Sequence, residues 1–164
     1  MTPKPHTCAG CPAVEYGLGF VPPTTTVSKS TFVVVGQGPG EQEALFSQPF
    51  YPRAPSGRML RGWLEEAGIP PERTAFGNIV QCWLPATRLS DTVGKGSRAP
   101  TPAETAHCYR AHVRPWLRSL PEEAHVLAVG APATRFLLGL SPETPADRLA
   151  GVTHRFDLPP TQET

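Results

Sequence analysis

The sequence has no apolar run long enough to span a lipid bilayer, and it has almost no net charge. Its formal net charge is +1, with 15 Lys and Arg against 14 Asp and Glu. This balance excludes binding to a polyanion through a general excess of basic residues, so any such contact would need a local patch. The first residues also lack the apolar core of a secretory signal. We therefore expect a cytoplasmic protein that does not interact with a membrane.

Cysteine is scarce, with four residues, whereas proline and glycine are abundant. The 21 prolines and 15 glycines lie mostly between apolar periodic segments, which indicates long, constrained loops rather than disorder. A length of 164 residues suits one domain with a hydrophobic core. We expect a single domain over 1–164, with an N-terminal segment over 1–30 and a tail over 157–164.

The strongest local pattern is a β-branched run that breaks into glycine and proline. Residues 32–35 read FVVV, typical of a strand buried on both faces, and Gly36, Gly38 and Gly40 follow. In open α/β sheets such a loop builds a site at the carboxyl end of the strand. The loop lacks the lysine of a P-loop and the spacing of the dinucleotide fingerprint. A tight turn without a ligand is the alternative.

Apolar strand patterns alternate with helical patterns along the rest of the chain. We predict strands over 75–83, 125–129 and 151–156, and helices over 41–46, 57–67, 101–120 and 133–138. This alternation predicts an α/β fold, a three-layer α/β/α sandwich with a mainly parallel central sheet of about four strands. Residues 14–30 read as an irregular linker, and 85–101 as a long loop.

Two residues are unusual for the segments that contain them. Asn78 lies inside the predicted strand 75–83, where asparagine is depleted, so it is either a core amide or a group that recognises a ligand. Phe50 lies between Pro49 and Pro52, which favours a pocket wall, with a core position as the alternative.

The cysteines form one close pair and two distant single residues. Cys8 and Cys11 make a C-x2-C motif, Cys82 follows at a strand end, and Cys108 lies in a predicted helix. Four thiolates bind either Zn²⁺ or a [4Fe–4S] cluster. Zinc usually uses two C-x2-C pairs, so the scattered arrangement favours a cluster. Zinc and four unrelated buried cysteines are the alternatives.

With these motifs the sequence resembles the uracil-DNA glycosylase superfamily, in particular its iron–sulfur branch, often called family four. The four cysteines follow the order of that branch, and the resemblance covers most of residues 8–140. The other matching segments are the loop 36–41, the Pro-Phe segment 47–52, the strand 77–82, the helix start 102–108 and the strand end 129–133.

The resemblance implies hydrolysis of the N-glycosidic bond of uracil in single- or double-stranded DNA, as in base excision repair. It implies that Asn78 bonds O4 and N3 of uracil and that Phe50 stacks on the base. Gly36 and Gly38 would belong to the substrate-binding loop, whose backbone amides hold the O2 side. It also implies a structural [4Fe–4S] cluster, bound to the N-terminal segment through Cys8 and Cys11 and completed by Cys82 and Cys108.

The sequence departs from the family at the residues that would activate water. Gln37 stands where the iron–sulfur branch has Glu, and an amide does not accept a proton as a carboxylate does. Glu41 and Glu43 are candidate substitutes. The candidate catalytic residues are therefore Gln37, Glu41 and Asn78.

Two further departures affect the pocket and the C-terminus. Ser47 and Pro52 replace glycines beside the Pro-Phe pair, which predicts an altered pocket wall. The sequence ends at Thr164 without the family's C-terminal histidine motif, and His154 does not replace it. We expect a glycosylase with reduced or lost activity, or one whose site a partner chain completes.

Two other functions remain open on the sequence. One is a non-catalytic DNA-binding or accessory subunit of a replication or repair complex with the same fold; the other is a zinc-stapled nucleotide-binding domain. In the loop 85–101, Arg88, Lys95 and Arg98 are candidates for contact with DNA phosphates, with a merely solvated loop as the alternative.

Overall fold

The structure is a computed structural model that describes residues 1–25, 29–89, 92–148 and 150–151. Its strands and helices are, in chain order, β1 (Phe32–Gly36), α1 (Glu41–Phe46), α2 (Pro55–Glu66), β2 (Thr74–Asn78), β3 (Arg88–Leu89), β4 (Thr92–Val93), α3 (Pro102–Cys108), α4 (Arg114–Arg118), β5 (His125–Ala128) and α5 (Ala131–Leu137). Short 3₁₀ turns lie at His6–Cys8, Pro71–Arg73 and Ala146–Arg148.

The central strand of the main sheet is β1. It pairs in parallel with β2 on one side and with β5 on the other. In the β1–β2 register, Phe32 lies opposite Thr74 and Gly36 lies opposite Asn78. Because all three strands are parallel, their carboxyl ends meet at one edge of the sheet, where ligands bind in folds of this type.

Helices cover both faces of this sheet. On one face Val34 of β1 packs in a cluster with Leu60 and Leu64 of α2. Val33 and Val35 point the other way, because side chains alternate along a strand. They pack in a cluster that includes residues of α4 and α5. The predicted three-layer α/β/α fold with a parallel sheet is therefore confirmed.

The main sheet has three strands in the part of the chain that the structure describes, against about four predicted. The predicted strand 151–156 falls almost wholly outside the described residues. β2 is shorter than predicted and ends at Asn78. Asn78 thus lies at the strand end, facing the loop after β1, and not within the strand.

The predicted helix 101–120 is split by a π turn, Tyr109–Val113, between α3 and α4. The cause is Pro115, near the start of α4, because proline has no amide hydrogen and its ring crowds the preceding turn. The start of α3 follows the prediction, since the Thr101 hydroxyl accepts a hydrogen bond from the Glu104 amide and the Glu104 carboxylate accepts one from the Thr101 amide.

Residues 14–25, read above as part of a linker, pack onto the core. Leu18 and Trp83 form an antiparallel bridge, and the Val21 amide donates to the Gln81 carbonyl at 2.7 Å. Val21 is fully buried. The loop 85–101 likewise contains an unpredicted hairpin, β3–β4, whose two-residue strands are too short to give a periodic pattern.

None of the helices in the described residues is both long enough and apolar enough to cross a lipid bilayer.

Candidate active site

Gly36, Phe50 and Asn78 lie together at the carboxyl edge of the sheet and form what we call the amide–ring site. A Cβ placed on Gly36 would lie 2.5 Å from Asn78 Oδ1 and 2.7 Å from Phe50 Cζ. Real Cβ atoms do not approach other atoms so closely, so only glycine fits at position 36. The structure thus brings together three residues that the sequence singled out separately.

Asn78 is a buried residue, but its side-chain amide is accessible and has no hydrogen-bond partner among the described residues. Asn78 is 3% exposed, and no hydrogen bond within the described residues involves its side-chain amide. Its backbone carbonyl, by contrast, accepts a hydrogen bond from Gln81 Nε2 at 2.7 Å. The nitrogen and oxygen of the side-chain amide are not among the buried side-chain atoms that lack a partner, so water reaches them. An accessible amide at this edge offers a ligand both a donor and an acceptor.

The ring of Phe50 is held in place by a strained turn. Its φ is +48°, in the left-handed region that non-glycine residues rarely adopt. The turn is fixed by a hydrogen bond from Arg61 Nε to the Phe50 carbonyl at 3.2 Å and by close packing of Gly57 against that carbonyl. Phe50 is 8% exposed, beside Phe76. Strain of this kind is typical of functional sites.

Ser47 has φ of +51°, also in the left-handed region. This residue ends α1. Glycine adopts this conformation without steric cost, whereas serine does so rarely.

The carboxylates after the Gly-rich loop have different environments. Glu43 is buried, and it accepts hydrogen bonds from the Gly40 amide at 3.1 Å and from Ser56 Oγ at 3.2 Å. It therefore holds the loop and is not a free base. Glu41 is exposed at the first residue of α1, and Gln37 is half-buried.

The four cysteines line one cavity, the thiol cavity, of about 350 Å³ counting the part open to solvent. Cys8 and Cys11 are half-buried, whereas Cys82 and Cys108 are buried. Its other lining residues are Lys4, Ala13, Val14, Phe20, Val80, Gln81, Glu104, His107 and His112. The four sulfurs, up to 100 positions apart in sequence, thus face a common space.

The N-terminal segment closes the thiol cavity from one side. Lys4 Nζ donates to the carbonyls of Val14 and Gly17, at 2.6 and 2.5 Å. A Cβ on Gly17 would lie 2.6 Å from Cys82 Sγ, so the segment packs directly against this sulfur. On the opposite side, the Gln81 amide donates to Cys108 Sγ at 3.2 Å.

Burial raises the pKa of Cys82 to about 11 and raises the pKa of Cys108 further. The pKa of Cys8 is also raised, first by burial and then by Cys11. The polypeptide alone thus holds these groups as neutral thiols, and a metal group would displace their protons. Among the described residues no three or more His, Cys, Asp or Glu side chains are grouped as ligands of a metal ion. The donor chemistry, four thiols on one cavity, nevertheless fits a thiolate-bound group.

The family model of the Uracil DNA glycosylase superfamily matches residues 22–161, which include the amide–ring site and two of the four cysteines. The chain belongs to this superfamily. The type-4 uracil-DNA glycosylase of Thermotoga maritima is 40% identical to it over 76 residues, which are 46% of this chain and 33% of that protein. The match thus spans about a third of the length of this curated relative.

In this superfamily member, two of the three cations predicted to contact phosphate are engaged within the chain. Arg98 forms a bidentate ion pair with Glu104, at 2.6 and 2.8 Å, and lies over the ring of Tyr16. Arg88 donates to the carbonyls of Glu15 and Tyr16. These two arginines are therefore not merely solvated, and their contact with DNA phosphates stays a prediction.

Gln81 is a site residue that the sequence analysis missed. Gln81 is 1% exposed. Its side-chain Nε2 donates a hydrogen bond to the backbone carbonyl of Asn78, and its backbone amide donates one to Cys108 Sγ. Its Oε1 is buried with no partner among the described residues. The available signal was a polar residue inside the apolar run 79–84, the same signal that selected Asn78.

Proposed function

We propose that this chain hydrolyses the N-glycosidic bond of uracil in DNA. The observation that carries the proposal is the accessible side-chain amide of Asn78, which has no hydrogen-bond partner among the described residues and lies with the ring of Phe50 against Gly36. Membership of the superfamily and the partial match to a type-4 uracil-DNA glycosylase support the same activity.

The amide of Asn78 would read the pairing edge of the base. Its Nδ2 donates to uracil O4 and its Oδ1 accepts from uracil N3–H, since an amide carries both a donor and an acceptor. Both Asn78 and Phe50 are buried. A base that reaches them must therefore leave the DNA stack and enter the protein, where Phe50 stacks on it.

The Gly-rich loop would stabilise the leaving base. As the bond from C1′ to N1 breaks, negative charge develops on uracil, largely at O2. Backbone amides of the loop 36–41, including those at Gly36 and Gly38, are the groups proposed to hold this oxygen. Glycine permits the base to approach the backbone because no Cβ intervenes.

Activation of water is assigned to Glu41, with Gln37 orienting the water molecule. The amide of Gln37 holds a water by hydrogen bonds but does not take its proton. Glu41 has the required carboxylate and is exposed, whereas Glu43 is occupied by the Gly40 amide and Ser56.

The thiol cavity is proposed to hold a [4Fe–4S] cluster on Cys8, Cys11, Cys82 and Cys108. When bound, the cluster supplies a structural cross-link and no reacting atom. It would join the N-terminal segment to the end of β2 and to α3, next to the amide–ring site. Zinc on the same sulfurs is the alternative, and the iron content and visible absorption of the purified protein distinguish the two.

An excision assay tests the proposed activity. Single- and double-stranded oligonucleotides with one deoxyuridine are incubated with metal-replete protein, and abasic sites are then cleaved with alkali. We expect product from the wild type and none from Asn78→Ala. Wild-type product no greater than that of Asn78→Ala contradicts the proposal.

A second function, DNA binding without catalysis in a replication or repair complex, is favoured by one observation. Gln37 provides an amide where the iron–sulfur branch has a carboxylate. Salt-dependent binding to DNA with no base release, and no gain of activity in Gln37→Glu, would support this function over excision.

A further inference from the structure

Phe46 and Tyr51 form a stacked aromatic pair on the surface beside the amide–ring site. Their ring centroids are 4.3 Å apart and the rings are inclined by only 11°. Phe46, the last residue of α1, is 59% exposed. One face of the Phe46 ring is covered by Tyr51, so its exposure comes from the other face and the edges. Among the ring contacts of the described residues this is the one stacked pair, and it presents a ring face to solvent.

We propose that the Phe46–Tyr51 pair is a stacking platform for an unpaired nucleobase adjacent to the uracil that enters the amide–ring site. This inference rests on the proposed function, because it places a neighbour of the base to be excised. It adds a preference for single-stranded or locally opened DNA. Stacking on an aromatic face tolerates any sequence, because every base has a π face.

The platform is rigidly connected to the amide–ring site. Tyr51 directly follows Phe50, and Ser47 and Phe50 both have left-handed backbone angles that fix the turn between them. A Cβ on Gly57 would lie 2.1 Å from the Tyr51 carbonyl oxygen, so the start of α2 packs tightly beneath this turn. A base on Phe46 and a base on Phe50 would therefore be held in a fixed relation.

Two exposed arginines follow Tyr51 in the sequence and would suit a DNA backbone, whereas the exposed Glu41 begins the helix that ends at Phe46. Arg53 and Arg58 are exposed on the turn and in the first turns of α2, and α2 has no acidic residue in its first turn. They lie on the same segment as Tyr51, close enough in sequence to meet the phosphates of a strand whose bases occupy the platform. Helix α2 also carries two large exposed apolar side chains, Met59 and Trp63, which are 53% and 55% exposed. Neither side chain takes part in a ring stack within the described residues.

A double-mutant cycle between protein and DNA tests the platform by binding alone. The probes are single-stranded oligonucleotides with one 2′-fluoro-deoxyuridine, which resists hydrolysis, carrying normal bases or an abasic spacer on either side of it. Affinity is measured by fluorescence anisotropy for the wild type, Phe46→Ala and Phe46→Leu. Trp63→Ala is the matched control, because it removes an equally exposed aromatic ring outside the stack.

We expect Phe46→Ala to weaken binding about fivefold or more, the effect of losing one base–aromatic stack. On one side of the uracil, replacing the flanking base by the spacer should weaken wild-type binding by a similar factor and leave binding by Phe46→Ala unchanged. Phe46→Leu should behave like Phe46→Ala, because leucine keeps apolar area without a ring. Trp63→Ala should bind like the wild type.

The platform is overturned if Phe46→Ala binds as tightly as the wild type. It is also overturned if, on both sides of the uracil, the spacer weakens binding by the same factor in Phe46→Ala as in the wild type, because the ring and the flanking base would then act independently. It is also overturned if Phe46→Leu retains full affinity. Failure of the proposed function shows differently, as absence of uracil release from hydrolysable substrates by the wild type, whatever the binding cycle gives.

Discussion

Gly36 and Asn78 lie opposite each other in the register of β1 and β2, and the space between them has no room for a methyl group. A Cβ on Gly36 would lie 2.5 Å from Asn78 Oδ1. This contact explains why the Gly-rich loop begins with glycine, and it fixes where the Asn78 amide lies relative to the loop that follows β1.

Gly36→Ala should therefore destabilise the protein and disrupt the site. The new methyl group must displace the Asn78 amide or the Phe50 ring, and such overpacking costs roughly 1–3 kcal/mol of unfolding free energy. The matched control is Gly38→Ala, since a Cβ there would lie 3.9 Å from its nearest neighbours in Val80. Chemical denaturation of both variants checks this. Equal stability of the two would show that the space at Gly36 is not limiting.

Replacing sulfurs of the thiol cavity should remove the metal group. We expect Cys82→Ser and Cys108→Ser to lose bound iron and to melt at lower temperature, because metal–thiolate bonds formed only in the native state add to folding free energy. His107→Ala is the control, since His107 lines the same cavity without a sulfur. It should keep its iron, as measured by metal analysis and visible absorption. Iron retained in Cys108→Ser would contradict a four-cysteine ligand set.

Arg98→Met should destabilise the fold by roughly 2 kcal/mol, the contribution expected of hydrogen bonds to a charged group. It leaves Glu104, which is 4% exposed, without its partner. Lys95→Met, an exposed cation of the same loop, should change stability little. Equal unfolding free energies for the two variants would mean that the ion pair contributes nothing.

The stabilisation from this ion pair should depend on pH in the acid range. Hydrogen bonds from Arg98 hold the pKa of Glu104 below its ordinary value of 4.5. The stabilisation is then fully present above 4.5 and is lost as pH falls through the lower pKa of the folded protein. The difference in unfolding free energy between the wild type and Arg98→Met should be constant near neutral pH and shrink in acid. A difference that grows in acid would contradict this assignment.

Gln81→Met should separate the role of this side chain from that of its backbone. The variant loses the 2.7 Å hydrogen bond to the Asn78 carbonyl and also removes a buried oxygen without a described partner, so the two effects on stability oppose each other. We expect a stability change below about 1 kcal/mol. Iron content should be unchanged, because the backbone amide that meets Cys108 remains. Excision should fall because Asn78 is less firmly held; wild-type excision would exclude a positioning role for Gln81.

The parts of the fold that follow from local pattern could be predicted from the sequence. The apolar run of β1, the Gly-rich loop and the helix start at Thr101 all have short-range signals, whereas the common site of the four cysteines was expected from the resemblance, and the structure places them on one cavity. The position of Asn78 at the end of β2 could not be predicted, because the apolar run continues beyond it into residues that pair with the N-terminal segment.

Long-range contacts account for what the sequence did not reveal. The bridge between Leu18 and Trp83 joins segments with no common period, so residues 14–25 looked like a linker. The roles of Glu41 and Glu43 depend on which carboxylate meets Ser56, a contact across two helices. Arg98 looked like a surface cation because its partner, Glu104, lies beyond a loop and a helix cap.

The most direct test of the central claim is release of free uracil, identified by its mass, from an oligonucleotide with one deoxyuridine. Wild-type protein and Asn78→Ala of equal iron content are compared in single turnover, with a thymidine oligonucleotide as control. The account predicts uracil release by the wild type and none by Asn78→Ala or from thymidine. No release by the wild type, or equal release by Asn78→Ala, would contradict it.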